Sequence, residues 1–201
     1  RTLVGTVLLA DPIAPTAAAA VAELKRLGIA VELASGDRAA AVSALARSTG
    51  IDRFSSRVTP DGKLALIRER QASGERVAMV GDGINDAPSL AAADVGIAMG
   101  SGTDVAIETA DISLVSGDPA SLVVAVRLAR LTMRNIRQNL LFAFAYNALG
   151  IPIAAGVLYP WLGLTLSPML AAAAMSLSSV SVLANALRLR TLPLANRLRL
   201  D

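Results

Sequence analysis

The chain is 201 residues long, 54% hydrophobic, with a mean hydropathy of +0.55 and a formal net charge of +3. That hydropathy is high for a soluble domain and low for a chain immersed in lipid throughout. Cysteine and histidine are both absent, which excludes a disulfide framework, a Cys/His zinc site, catalytic triads and histidine-based acid–base chemistry.

Residues 3–10 form a short apolar run ended by Asp11-Pro12, a strand followed by a turn. Residues 17–27 carry apolar side chains at helical spacing and stop at Gly28, a good helix C-cap. A strand is expected over 29–34, closed by Ser35-Gly36-Asp37, then a helix over 39–48 ending at Gly50 and another over 61–71. A very short apolar strand at 77–80 runs straight into Gly81-Asp82-Gly83. A helix at 87–92 and strands at 95–98 and 112–115 complete this part. Regular alternation of strand and helix with short connections argues for an α/β fold with a parallel sheet. Such folds bind ligands beyond the carboxyl ends of their strands, which is where the polar clusters at 35–37 and 81–86 fall.

The charges divide the chain. Lys, Arg, Asp and Glu run through the first two thirds, and none occurs between Arg137 and Arg188. A spanning helix needs roughly 20 apolar residues for a hydrocarbon core of about 30 Å, so the charge-free stretch has room for two, near 135–156 and 164–187. Tyr159-Pro160-Trp161 supplies a turn with interfacial aromatics between them. Arg127, Arg130, Arg134 and Arg137 precede the first, and Arg188, Arg190, Arg197 and Arg199 follow the second. Both ends are therefore expected in the cytoplasm, with the bilayer as partner and no nucleic acid. The expected division is a soluble part at 1–124 and a membrane hairpin at 125–201. The chain starts on Arg1 and opens directly into a strand, with no signal-peptide pattern, which reads as a domain cut.

Two carboxylates four apart across a glycine-containing turn, Asp82 and Asp86, can hold a hard cation such as Mg²⁺. Gly81 and Gly83 let the backbone turn sharply, and Asn85 adds an amide. Lys63 can neutralise a phosphoryl group, and the Ser35 hydroxyl and Gly36 N–H can donate to its oxygens. The set suits phosphoryl transfer, which depends on positioning and charge stabilisation. In the charge-free part, Tyr146 and Asn147, with Asn139 before and Pro152 after, and Met175, Ser178 and Ser179 are the polar or sulfur-bearing candidates. Met175 and Ser179 share a helix face, and a thioether is a soft ligand of the kind that selects Cu(I). Helix packing is the competing reading for Ser and Asn.

The string Gly81-Asp82-Gly83-Ile84-Asn85-Asp86-Ala87-Pro88 resembles the hinge signature of P-type ATPases. Gly5 with Asp11-Pro12, Ser35-Gly36-Asp37, residues 60–63, and residues 94–100 followed by Gly102-Thr103-Asp104-Val105-Ala106 are similar to other segments of that family. The resemblance implies a HAD-like, phosphatase-like fold. Asp82 would hold Mg²⁺, Asp86 would order the site, Lys63 would stabilise the phosphoryl group, and Ser35, Gly36, Asp37 and Asn85 would line the pocket, with ATP as substrate. The family's Asp-Lys-Thr-Gly-Thr nucleophile motif does not occur in this sequence. Phosphorylation by this stretch alone is therefore not expected. The implied partners are a nucleotide-binding domain, an actuator domain and further membrane helices of a longer chain, and a copper chaperone.

Asn139, six residues, Tyr146-Asn147, four residues, Pro152 resembles a pattern of copper-transporting heavy-metal ATPases, and Met175-x-x-Ser178-Ser179 resembles their next-helix pattern. The resemblance implies Cu⁺ as transported ion, with Tyr146, Asn147, Met175 and Ser179 as contacts and a Cys-Pro-Cys motif supplying thiolates elsewhere. It also implies export across the plasma membrane of a bacterium. Cu²⁺ or another heavy metal is the alternative, as is a truncated, non-catalytic membrane module that binds metal. The amphipathic stretch 123–137 is expected to link the two parts mechanically.

Overall fold

A computed structural model describes residues 12–82, 84–100, 104–157, 159–163 and 168–191. The strand expected at 3–10, with Gly5 and Asp11, lies outside the described residues, as do Gly83, Gly102 and Thr103. The chain divides into two units, one running to Val123 and one from Val124 onward.

The first unit begins with α1 (Ala17–Arg26). Gly28, at φ +77°, ends it. The Gly28 N–H donates to Lys25 O and the Ile29 N–H to Leu24 O, which satisfies carbonyls the helix leaves open. That bond draws Ile29 into the cap, so the strand expected from residue 29 starts only at β1 (Glu32–Ala34). Next, α2 (Ala39–Thr49) closes on Gly50, at φ +73°. A strand with no signal in the sequence follows, β2 (Arg53–Ser55), paired in parallel with β1 through Glu32–Arg53, Leu33–Phe54 and Ala34–Ser55.

Helix α3 (Pro60–Ala72) has Thr59 as N-cap, its hydroxyl accepting from the Gly62 N–H at 3.1 Å, with Pro60 in the first turn. Cap and proline together fix where the helix starts. Then come β3 (Ala78–Gly81), a 3₁₀ turn (Ile84–Asp86), α4 (Ala87–Ala92), β4 (Val95–Met99), α5 (Asp104–Thr109) and β5 (Ile112–Leu114). These three strands form a parallel sheet in the order β3-β4-β5. The middle strand β4 is the most buried, as its unbroken apolar sequence requires. The core gathers Leu90, Ile97, Ala98, Ile67, Val42, Ala46 and Leu24. A Cβ on Gly96 would stand 2.6 Å from Leu90 O, so glycine there is what lets α4 lie on β4.

The second unit is helical: α6 (Pro119–Ala154), which starts in the first unit, a single-turn α7 (Tyr159–Leu162), α8 (Pro168–Leu187) and a 3₁₀ turn (Arg188–Thr191). The expected spans near 135–156 and 164–187 fall on α6 and α8, with residues 158 and 164–167 outside the described residues. Among the described residues no helix is long and apolar enough to cross a membrane. Gln138 and Asn139 delay the apolar run of α6 to residue 140. At 1.5 Å per residue, 140–154 measures roughly 22 Å against a hydrocarbon core of about 30 Å.

Candidate functional site

The carboxyl end of β3 is shaped by one glycine. A Cβ on Gly81 would lie 2.8 Å from Asp86 Cβ and 2.9 Å from Asp86 Oδ2. The bare backbone at the strand end is thus the surface on which the Asp86 side chain rests. The 3₁₀ turn of 84–86 folds Asp86 back over the strand, burying it to 8% exposure. A buried carboxylate needs a partner, and Lys63 Nζ supplies it at 2.7 Å from Oδ1. Lys63 comes from the first turn of α3, and its N–H donates to Thr59 O. The Thr59 cap therefore sets the height at which the ammonium arrives.

The segment before α3 joins this pair to the loop after β1. The Ser35 N–H donates to Ser55 O, the Val58 N–H to Ser35 O and the Arg57 N–H to Asp37 O, each at 3.0 Å. Inside the loop, the Ser35 hydroxyl donates to Asp37 Oδ2 at 2.9 Å and accepts from the Asp37 N–H at 3.2 Å. Residues 35–37 and Lys63 are thus held by one stretch of chain, 55–63. Asp82 and Asn85 are exposed, and Asp82 has no hydrogen bond or ion pair among the described residues.

An exposed carboxylate just past a strand end, such as Asp82, can serve Mg²⁺ held by few protein ligands and completed by water and phosphate oxygens. Among the described residues no group of three or more acids could hold a metal without such help. Asp82 is the carboxylate open to a cation, because Asp86 is committed to Lys63.

In the helical unit, the Tyr146 hydroxyl lies 3.4 Å from Ser181 Oγ, which donates to Leu177 O at 2.7 Å. Ser181 stands two positions beyond Ser179, and residues two apart on a helix do not share a face. Tyr146 meets Ser181, a residue not among the expected ion contacts. Asn147 is exposed on α6, and the Met175 side chain lies outside the described residues. Asn139 is tied to Asn135 and Asn185.

A family model for haloacid dehalogenase-like hydrolases matches residues 1–94. The chain is 62% identical over 94% of its length to a copper-transporting P-type ATPase of Rhizobium leguminosarum bv. viciae, covering 22% of that protein. It is 55% identical over 96% of its length to a silver exporting P-type ATPase of Salmonella typhimurium, covering 23% of it. The chain thus spans between a fifth and a quarter of the curated relatives it matches. Over nearly its whole length it is similar to heavy-metal P-type ATPases.

A solved structure agrees. A zinc-transporting PIB-type ATPase in an E2.Pi state superposes with a TM-score of 0.77 at 40% identity, over 89% of this chain and 28% of that one. A match of that extent continues past Val123 into the helical unit. The HAD-like parallel-sheet assignment therefore stands for the first unit. Three features escaped the sequence: the Thr59 cap that places Lys63, the β2 strand that anchors Ser35, and the partners of Asn139. Thr59-Pro60 ahead of a helix was a usable signal for the first. Arg53-Phe54-Ser55, three residues without alternation, carried none for the second.

Proposed function

We propose that this chain is part of an ATP-driven Cu⁺-translocating pump, providing most of the phosphate-facing side chains of its phosphorylation domain and a membrane hairpin on its ion path. The observation that carries the reading is the Lys63–Asp86 pair resting on Gly81 at the carboxyl end of β3. Lys63 is directed toward the position where an aspartyl phosphate formed elsewhere in the longer protein would sit, and Asp86 holds it there. Ser35 and the Gly36 N–H line the same pocket, with Asp37 fixing the Ser35 hydroxyl and Asn85 at its exposed edge. Asp82 is the ligand for Mg²⁺, which when bound neutralises phosphate charge.

In the hairpin, the charge-free stretch 138–187, of which α6 and α8 supply the described helical parts, crosses the bilayer twice with both flanks in the cytoplasm, in a bacterial plasma membrane. Arginine at both flanks and a complete absence of charge between Arg137 and Arg188 support that placement. Tyr146 and Asn147 on α6 and Met175 and Ser179 on α8 contact Cu⁺, with thiolates supplied by other helices. The curated relatives with copper and silver in their names favour a soft monovalent ion. The stretch 123–137 of α6 transmits movement of the domain to the hairpin.

The test is ATP hydrolysis by the complete reading frame reconstituted in vesicles, with Cu⁺, Ag⁺, Cu²⁺ and Zn²⁺ supplied in turn. Stimulation by Cu⁺ and Ag⁺, lost in Asp82→Asn, is expected. Stimulation by Zn²⁺ alone would replace the substrate, and hydrolysis indifferent to every metal would remove the pump reading.

A further inference from the structure

Asn135, Asn139 and Asn185 close a ring of amides between α6 and α8. Asn135 Nδ2 donates to the backbone carbonyl of Asn185 at 2.7 Å. Asn185 Nδ2 donates to Asn139 Oδ1 at 2.9 Å, and Asn139 Nδ2 donates to Asn135 Oδ1 at 3.1 Å. Asn135 is only 7% exposed. The carbonyl of Asn185 belongs to the last turn of α8, whose carbonyls have no partner within the helix. The ring thus satisfies an open helix end and two side chains together, with neutral groups that need no counter-charge.

We propose that this ring fixes the register of α8 against α6 and thereby sets the relative heights of Tyr146–Asn147 and Met175–Ser179. The three asparagines are positioning residues. The inference rests on the copper reading above and assigns a role to Asn139, which belongs to the pattern around Tyr146 but was given no contact with the ion. Two observations make the ring a register device rather than general packing. First, each amide is matched to one partner at one height, and sliding α8 by a single residue would turn Asn185 by about 100° away from Asn139. Second, a further cross-contact joins the same two antiparallel helices. From Asn139 two turns along α6 is Tyr146, from Asn185 one turn back along α8 is Ser181, and those two side chains meet. In a low-dielectric setting such polar rings are strongly directional, because a slipped amide has no water to take its place.

The experiment uses the full-length pump in vesicles, with N139A, N185A and the N139A/N185A double variant. The Cu⁺ concentration for half-maximal ATP hydrolysis reports the ion site. Phosphorylation by inorganic phosphate without Cu⁺ reports the integrity of the phosphorylation domain. Each single substitution is expected to raise the half-saturating Cu⁺ concentration by about five- to tenfold, with maximal rate and phosphate labelling within about twofold; the double is no worse than the larger single, as for partners in one network. Independent effects that multiply in the double, or an unchanged Cu⁺ dependence, overturn the proposal. Where alanine abolishes phosphate labelling, N139Q and N185Q keep the amide but lengthen its arm, and an unchanged half-saturation in both overturns it equally. If the unsubstituted pump ignores Cu⁺, the copper reading fails instead. The ring is then judged by the same cycle in thermal unfolding, where additivity sinks it.

Discussion

The two units pair their polar groups with different chemistry. The sheet unit uses charge. Asp86 is held by Lys63, Asp94 accepts from the Val77 N–H, Gln71 and Arg76, and Asp111 accepts from the Gly96 N–H. The helical unit uses neutral amides and hydroxyls, and no acidic residue occurs between Asp118 and Asp201. A charged pair suits the proposed site for phosphate and Mg²⁺, where the field itself would be the working part. Amides suit the helix pair if, as proposed, it lies in lipid, where an unpaired charge would cost several kcal/mol. Salt and pH should therefore act on the first unit and leave the second alone.

The largest effect should come from breaking the charged pair. Lys63→Met leaves a nearly buried carboxylate without its cation, and removing one partner of such a pair costs about 3 kcal/mol. Urea unfolding of the chain measures it, and phosphate labelling of the full-length pump should vanish with it. Gly81→Ala comes next. The new Cβ would stand 2.8 Å from Asp86 Cβ, pushing the carboxylate off the strand end at a cost on the order of 1–3 kcal/mol. Because both changes act on the same contact, the double variant should lose less than the sum of the two. Additive losses would mean that Gly81 serves the turn alone and does not hold Asp86.

How legible this was depended on what the local sequence had to say. Gly28 and Gly50 announce the ends of α1 and α2 because only a left-handed residue closes those caps, and the apolar run of β4 announces a strand buried on both faces. Asp86 and Lys63 were named as site residues from their types and the turn around them. Their direct contact was not legible, since it depends on α3 and the 3₁₀ turn meeting across 23 positions of sequence. β2 was invisible because parallel pairing with β1, not its own composition, makes Arg53–Ser55 a strand. The contact of Tyr146 with Ser181 was not legible either. The sequence pattern names a helix face, whereas the contact is decided by the register of α8, which rests on Asn135 and Asn185, residues with no local signal.

Acid separates the units more gently. The Val77 N–H, ahead of the Gln71 amide and the Arg76 guanidinium, holds Asp94 below the usual aspartate range. The Thr16 hydroxyl, ahead of the Ala120 N–H, does the same for Asp118. A depressed folded value means that the unfolded chain takes up protons first, near pH 3.9. The stabilisation is full well above about pH 3.9 and is lost as pH falls through the lower folded values. Thermal unfolding followed from pH 6 to pH 2 should show this decline, shallower in Asp94→Asn. The chain's one tryptophan, Trp161, lies in the helical unit, so its fluorescence should stay constant over the same window. A parallel change in Trp161 would erase the contrast between the units.

The smallest effect has the opposite sign. Ser89 in α4 is fully buried, and its Oγ has no hydrogen-bond partner among the described residues. It sits inside the charged unit yet shares in none of its pairing, unlike Asn135, whose amide both donates and accepts in a place almost as closed. A buried hydroxyl without a partner loses its hydration and gains nothing for it, whereas the methyl of alanine loses nothing on burial. Ser89→Ala should therefore raise the unfolding free energy of the chain by about 1 kcal/mol, while Asn135→Ala should lower it by a similar amount. The two variants share near-complete burial and differ in the size of the group removed and in whether it was bonded. If Ser89→Ala destabilises as well, its hydroxyl has a partner that direct contacts do not show, a bound water being the simplest. A crystal structure of the variant would then show α4 shifted against Gly96.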